Sequence, residues 1–238
     1  MYKELKIIVV LPAYNAGVTL EKTIKDIPLN LTDEIILVDD KSNDNTLEIA
    51  RKLNLTVYRH NQNKGYGANQ KTCYDAAIAK GGDIIIMLHP DYQYDPKLIN
   101  YFVEFIGNGY FDVMLGSRIR SRKEALAGGM PFYKYISNRF LTLVENVVSG
   151  QNLSEWHTGM RAYRREVLER VGYRKFSDDF VFDTQMLFKI IEAGYAIGEI
   201  PVPVRYFPEA SSINLRRSIW YGLSTLLECF RHLFKKSL

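Results

Sequence analysis

Glu34-Ile35-Ile36-Leu37-Val38-Asp39-Asp40-Lys41-Ser42-Asn43-Asp44-Asn45-Thr46 is the stretch on which the fold turns. Its apolar run has no polar interruption. A strand over 34–38 therefore has no face for solvent and belongs to a sheet covered on both sides. Two carboxylates, Asp39 and Asp40, end the run. Asp44 or Asn45 can then cap a helix that begins at Thr46. Strand, acidic turn and helix in that order are one unit of an α/β fold.

The same unit recurs on either side. Apolar, β-branched runs at 7–11, 56–58, 83–88 and 112–115 read as further strands. Helix-like stretches lie between them at 19–26, 46–53, 68–80 and 96–106, with Pro96 placed at a first helical position after Asp95. The expected architecture is a mostly parallel central sheet with helices on both faces. The pattern breaks at 117–130, which is basic, rich in small residues and without a period. It reads as a mobile loop. A helix over 131–148, a short strand near 160–163 and helices at 165–171 and 183–193 follow. Ile197 to Val204 reads as a late strand, and Pro201 and Pro203 favour an edge. No internal repeat or low-complexity segment interrupts the chain.

Composition narrows the class. The 238 residues are 47% hydrophobic and 24% charged, ordinary for a globular fold able to bury a core without staples. Cys73 and Cys229 are far apart and have no metal-like spacing, which suits reduced structural cysteines. The apolar start at 7–11 is too short for a signal peptide and reads as the first strand. No apolar run reaches the ~20 residues of a membrane span. The net charge of +4 is local. From Ser211 onward Arg216, Arg217, Arg231, Lys235 and Lys236 face one anion, Glu228, so residues 1–210 balance to zero. A neutral body argues against a nucleic-acid binder, which spreads cations over a face. The basic tail suits an acidic partner or a membrane surface.

Chemistry-bearing residues collect at strand ends. Asp39-Asp40 follows one strand and Asp91 follows another. Ligands of open α/β sheets bind beyond the carboxyl ends of the strands. Acidic residues there suit a nucleotide and a divalent cation, since Mg²⁺ is held by few carboxylates plus substrate phosphates. Other signatures are missing. There is no Gly-x-x-x-x-Gly-Lys-Ser/Thr loop, no Gly-x-Ser-x-Gly elbow, and Gly65-Tyr66-Gly67 lacks the third glycine of a dinucleotide turn.

Five motifs in order resemble the family 2 glycosyltransferases. They are Val10-Leu11-Pro12-Ala13-Tyr14-Asn15, then Val38-Asp39-Asp40-x-Ser42-x-Asp44-x-Thr46, then Asn63-Lys64-Gly65-x-Gly67-x-Asn69, then Asp91-Tyr92-Gln93-x-Asp95-Pro96, and finally Gly116-Ser117-Arg118. The last is similar to the branch of dolichyl-phosphate mannose and glucose synthases. The resemblance covers roughly residues 5–120, with looser matches to Ser212.

It implies a GT-A fold over 1–212 and an inverting transfer of a hexose from a nucleoside-diphosphate sugar, of UDP-glucose or GDP-mannose type, to a polyprenyl or dolichyl phosphate. Pro12, Tyr14, Asn15, Asp39, Asp40, Lys64, Gly65 and Arg205 are then expected to bind the donor. Asp91 and Gln93 are expected to hold the cation, Mg²⁺ or Mn²⁺. His89 stands where the family has the first Asp of Asp-x-Asp. It could ligate a softer ion, contact donor phosphate, or leave the metal to Asp91 and Gln93. A phosphate acceptor is already anionic and needs cations to position it, a task that suits the fork of Arg118. Lys134, Ser137 and Arg139 are further acceptor candidates. Asp178 or Asp179 could serve as general base for a saccharide hydroxyl, an alternative acceptor. A third reading is an inactive nucleotide-sugar-binding relative.

The tail, residues 213–238, reads as a basic amphipathic helix. Ile219, Leu223, Leu226, Leu227, Phe230, Leu233 and Phe234 share one face, and Arg217, Ser224, Glu228, Arg231 and Lys235 the other. Such a helix can lie in a membrane interface. It could equally pack on the body or on a second subunit. The expected setting is the cytoplasm, peripheral at the cytosolic membrane face.

Overall fold

A computed structural model describes residues 2–119, 121–203 and 215–236. Seven strands form one sheet: β1 (Ile7–Ala13), β2 (Glu34–Asp39), β3 (Thr56–Arg59), β4 (Ile84–Leu88), β5 (Val113–Ser117), β6 (Met160–Arg164) and β7 (Ile197–Pro201). Their order across the sheet is β3-β2-β1-β4-β6-β5-β7. Only β6 is antiparallel to its neighbours, β4 and β5. β7 is an edge strand, as its prolines predict.

The uninterrupted apolar strands are explained by what covers them. Alternate residues of a strand point to opposite faces. Ile8 and Val10 of β1 join Ile36 and Val38 of β2 and Ile85 and Met87 of β4 in one core. Helices α3 (Tyr66–Ala79), α7 (Arg165–Val171) and α8 (Phe182–Glu192) close that face through Tyr74, Val167, Phe182 and Met186. Ile7, Val9, Leu11, Ile35 and Leu37 point the other way, onto α1 (Leu20–Asp26), α2 (Thr46–Lys52) and α4 (Ile99–Gly107). Burying each such side chain stabilises the fold by about 1.5–3 kcal/mol. A register slip of one residue would exchange the two cores, so both covers together hold the register.

The stretch 117–130 departs from the expected loop. Ser121 accepts the Glu124 N–H at 3.2 Å and opens a short helix, α5 (Arg122–Ala127). A cap three residues before Glu124 supplies what the missing periodicity could not indicate.

Two long helices follow, α6 (Phe132–Ser149) and α9 (Leu215–Lys236). They pack on each other, and α9 also packs on α8. The amphipathic pattern left open which face of α9 meets the body, and the apolar row is not that face. Thr225, Cys229 and His232 face the body. The apolar row Ile219, Leu223, Leu227, Phe230, Leu233 and Phe234 stays exposed, with Trp220 beside it. Phe132, Ile136, Phe140, Leu143 and Val147 of α6 are exposed as well. Specific contacts explain the choice. Tyr221 O–H and His157 Nδ1 lie 2.5 Å apart, and His232 stacks on Phe188 at 4.3 Å with Nδ1 3.1 Å from Glu192. Among the described residues no helix is long and apolar enough to cross a membrane.

Candidate active site

A cavity of about 830 Å³ opens at the carboxyl ends of β1, β2, β4 and β5, within the usual size of a small-molecule site. Its wall includes Pro12, Tyr14 and Asn15 after β1, Asp40 after β2, and His89, Asp91 and Gln93 after β4. Arg118 follows β5, and Thr158 and Gly159 precede the reversed strand β6. Gly65 and Tyr66 come from the start of α3. On the far side stand Lys134, Ser137 and Leu141 of α6 and Tyr221, Leu223 and Leu226 of α9.

The first three motifs build a scaffold for this wall. Asn15 takes a left-handed φ of 52° and donates its N–H to Ser42 Oγ at 2.8 Å, while its side-chain oxygen accepts the Asn43 N–H at 2.9 Å. Asp44 accepts from Gly17 N–H at 2.9 Å and from Thr46 N–H at 3.0 Å. The loops after β1 and β2 are thereby stitched together. Asp40 is buried, and both carboxylate oxygens hold the next loop. Oδ1 accepts the Lys64 N–H at 2.8 Å and lies 2.7 Å from His60 Nδ1, and Oδ2 accepts the Gly65 N–H at 3.0 Å. Asp39 is also buried, but it caps the turn at Ser42 and pairs with Arg59 at 3.3 Å, away from the cavity. Lys64 contributes backbone, and its side chain is not part of the wall.

Gly65 and Gly67 have a reason the sequence concealed. Gly65 has φ 100°, and a Cβ on it would lie 2.6 Å from the Asp178 carbonyl oxygen. Gly67 donates its N–H to that same carbonyl at 2.8 Å. The loop at 177–179 rests directly on the start of α3. Here Asp178 and Asp179 part company. Asp178 is 67% exposed and ion-paired with Lys71 at 2.8 Å, so it does not reach the cavity, contrary to its expected role as a base. Asp179 lines the cavity, next to Phe180.

The cation candidates divide in the same way. Arg118 reaches the cavity, but its guanidinium is already engaged. Its Nε donates to Glu155 Oε1 at 2.8 Å, and an Nη donates to the same oxygen and to the His157 carbonyl. Glu155 is fully buried and also accepts from Asn138 at 3.0 Å. Burial and the charge of Arg118 hold the Lys134 ammonium below the usual lysine range, so two cations face one small space. Arg139 is turned away and donates to the Ser154 carbonyl at 2.6 Å. Arg205 lies outside the described residues.

Asp91 is buried, and burial pushes its carboxyl above the ordinary Asp range against the opposing pull of His89 and Arg118. Its hydrogen bond to another described residue is from the Gln93 N–H at 3.1 Å. No group of three His, Cys, Asp or Glu converges among the described residues. The Asp91 carboxylate, the Gln93 amide and the His89 imidazole all line the cavity. This small set fits a divalent cation that completes its shell with diphosphate oxygens.

Several residues of this site went unread in the sequence. Tyr66 donates its hydroxyl proton to Asp183 at 2.8 Å and lies 3.1 Å from His89 Nε2. Asp183 also pairs with the fully buried Arg161 at 3.1 Å. Glu145, fully buried, lies 3.1 Å from His157 Nε2 and accepts from Thr184 at 2.8 Å. His157 and Arg161 fall in a stretch, 156–161, that resembles the family's acidic-Thr-Gly-x-Arg motif, whereas Tyr66, Glu145 and Asp183 are marked only by their partners.

Comparisons with known proteins bear on the fold and the family. Glucosyl-3-phosphoglycerate synthase from Mycobacterium tuberculosis superposes with a TM-score of 0.75 at 19% identity, covering 97% of this chain and 81% of that one. The same enzyme with Mn²⁺, UDP and glucosyl-3-phosphoglycerate gives 0.70 at 20% identity, covering 95% and 80%. The fold is therefore GT-A. A UDP-N-acetylglucosamine–dolichyl-phosphate N-acetylglucosaminyltransferase of Methanococcus voltae is 28% identical over 92% of this chain and 95% of its own length. A dolichyl-phosphate hexose transferase of Haloferax volcanii is 30% identical over 83% and 82%. The family model for glycosyl transferase family 2 matches residues 8–172, a span that holds the five strand-end motifs and most of the wall they build. This chain belongs to glycosyl transferase family 2 and is a glycosyltransferase.

Proposed function

We propose that the enzyme transfers a hexose, with inversion, from a nucleoside-diphosphate sugar to a polyprenyl phosphate at a membrane surface. One observation carries this reading. The cavity wall has His89, Asp91 and Gln93 at the strand ends and, at the end between α6 and α9, the apolar Phe140, Leu141, Ile219, Leu223 and Leu226 beside Lys134, Ser137 and Arg217. Phe140, Ile219 and Leu223 line that end and are also exposed on the outer surface. Arg118 and Lys134 also line this cavity. An acceptor with a phosphate head and a hydrocarbon tail matches this arrangement. The names of the two dolichyl-phosphate relatives support it.

On the donor side, Pro12, Tyr14, Asn15 and Gly65 form the wall for the nucleoside, and Asp40 acts by holding the Lys64-Gly65 backbone in place. A UDP-linked donor has the support of the M. voltae relative and of UDP in the superposed structures. Asp91, Gln93 and His89 would hold the divalent cation, Mg²⁺ or Mn²⁺. When bound, it neutralises charge on the departing diphosphate. An acceptor phosphate oxygen bonds to the anomeric carbon as that carbon's bond to the diphosphate breaks on the opposite face. The electron pair leaves with the nucleoside diphosphate. No proton has to be removed, so the step needs positioning cations and no general base. Arg118, Lys134 and Ser137 supply that positioning.

A second reading, transfer to a saccharide hydroxyl, rests on Asp179 at the cavity wall. A radiolabelled UDP- or GDP-hexose assay with polyprenyl phosphate against soluble saccharides separates the two. Label in the lipid phase supports the first reading, and label only in soluble product supports the second. The apolar α6–α9 surface, flanked by Arg216 and Arg231, suits peripheral contact with an anionic membrane face.

A further inference from the structure

We propose that His89 ligates the divalent cation through Nδ1, and that Tyr66 and Asp183 are positioning residues that fix the imidazole tautomer for this purpose. The inference rests on the divalent-cation reading above and deepens it.

The argument follows one proton. Asp183 is ion-paired with Arg161 and accepts from Gln70 at 3.0 Å and from the Tyr66 hydroxyl at 2.8 Å. A phenol has a single proton, and a carboxylate can only accept. The Tyr66 proton is therefore given to Asp183. The contact between the Tyr66 oxygen and His89 Nε2, at 3.1 Å, then needs its proton from the ring. Nε2 carries N–H, and Nδ1 is left with the lone pair.

Nδ1 is also the nitrogen that has nothing to bind. It makes no hydrogen bond among the described residues, yet it is not among the buried atoms sealed from solvent. His89 lines the cavity with Asp91, which stands two residues on. The ring is held by its surroundings. Tyr66 and Tyr94 meet it edge-on at 5.5 and 6.5 Å, and Phe180 stacks on Tyr66 at 4.8 Å. Gly159 lies against the ring, where a Cβ would come within 2.5 Å of Nδ1. A metal-bound histidine ordinarily donates its other N–H to an oxygen that orients the ring. The Tyr66–Asp183 pair has that form. A nitrogen donor beside one carboxylate favours Mn²⁺ over Mg²⁺, which prefers oxygen.

The test measures the bound ion as well as activity. Mn²⁺ is titrated into the full chain with UDP or GDP and followed by electron paramagnetic resonance. Uniformly ¹⁵N-labelled protein is used for the pulsed measurement, so that a nitrogen coupling can come only from the protein. A ¹⁵N coupling to Mn²⁺ is expected, absent in His89→Asp, where Mn²⁺ preference over Mg²⁺ falls by about tenfold or more. Tyr66→Phe keeps the ring stack on Phe180 and is expected to weaken Mn²⁺ binding by about 10–100-fold, with thermal stability close to that of the wild type. Asp183→Asn also strands Arg161, so Tyr66→Phe is the deciding variant. Bound Mn²⁺ without ¹⁵N coupling overturns this inference alone, as does unchanged affinity in Tyr66→Phe. Failure of the wild type to bind Mn²⁺ with either nucleotide overturns the cation reading and this inference with it.

Discussion

The Arg118 guanidinium is bound by Glu155, a carboxylate with no solvent exposure. The pair joins the end of β5 to the turn before β6 and sets the plane that Arg118 presents to the cavity. Removing one partner of a buried pair leaves the other uncompensated, at a cost of about 3–5 kcal/mol. Glu155→Gln is expected to lower the unfolding midpoint clearly in urea, and the Arg118→Gln, Glu155→Gln double variant to recover part of the loss. A single variant as stable as the wild type would show that the pair is not structurally coupled.

Gly67 carries the loop that brings Asp179 and Phe180 to the cavity. A Cβ there would lie 2.8 Å from Phe182 Cβ and closer still to the Ser177 carbonyl oxygen. A carbonyl fixed in a packed loop cannot step aside as a flexible side chain does. Gly67→Ala is expected to cost about 1–3 kcal/mol in stability through overpacking. It is also expected to raise proteolytic cleavage near residues 177–180. Unchanged denaturation and cleavage would mean that the loop yields freely.

Leu227 and Phe230 on α9 are 49% and 58% exposed and take no part in the cavity wall. If the α6–α9 face meets a membrane, Leu227→Glu with Phe230→Glu is expected to abolish co-sedimentation with anionic vesicles. Stability should stay within about 0.5 kcal/mol per site, as for exposed positions generally. Vesicle binding equal to that of the wild type would remove this face as the anchor.

Burial pushes the Glu199 carboxyl above the ordinary Glu range, against hydrogen bonds from Ser154 and the Glu155 N–H. A group whose folded pKa is raised binds its proton more tightly when folded. Its contribution is complete below the unfolded value of 4.5 and is lost as pH rises through the higher folded value. Thermal melts of wild type and Glu199→Gln should therefore diverge in favour of the Gln variant as pH rises from 4.5 through the higher folded value. A pH-independent difference would contradict the assigned shift.

Local chemistry determined a great deal before any tertiary contact was known. Apolar strands ending in carboxylates, caps after them and five motifs in order specify a mostly parallel sheet and the edge at which ligands gather. That follows because strand burial and helix capping are properties of a few consecutive residues. The strand-end rule marked Asp91, the family resemblance marked Gln93, Arg118 and Lys134, and all four line one cavity. Local rules could not determine which neighbours meet across the chain. Asp178 and Asp179 are adjacent, yet one pairs with Lys71 and the other lines the cavity. Tyr66, Glu145, Glu155 and Asp183 were silent because a buried polar group is recognised by partners tens of residues away. Which face of α9 meets the body was left open for the same reason. Its apolar stripe is written in the sequence, but Tyr221 and His232 found specific partners on the body, and the stripe was left facing outward. Periodicity tells which residues share a face. Only packing decides which face is covered.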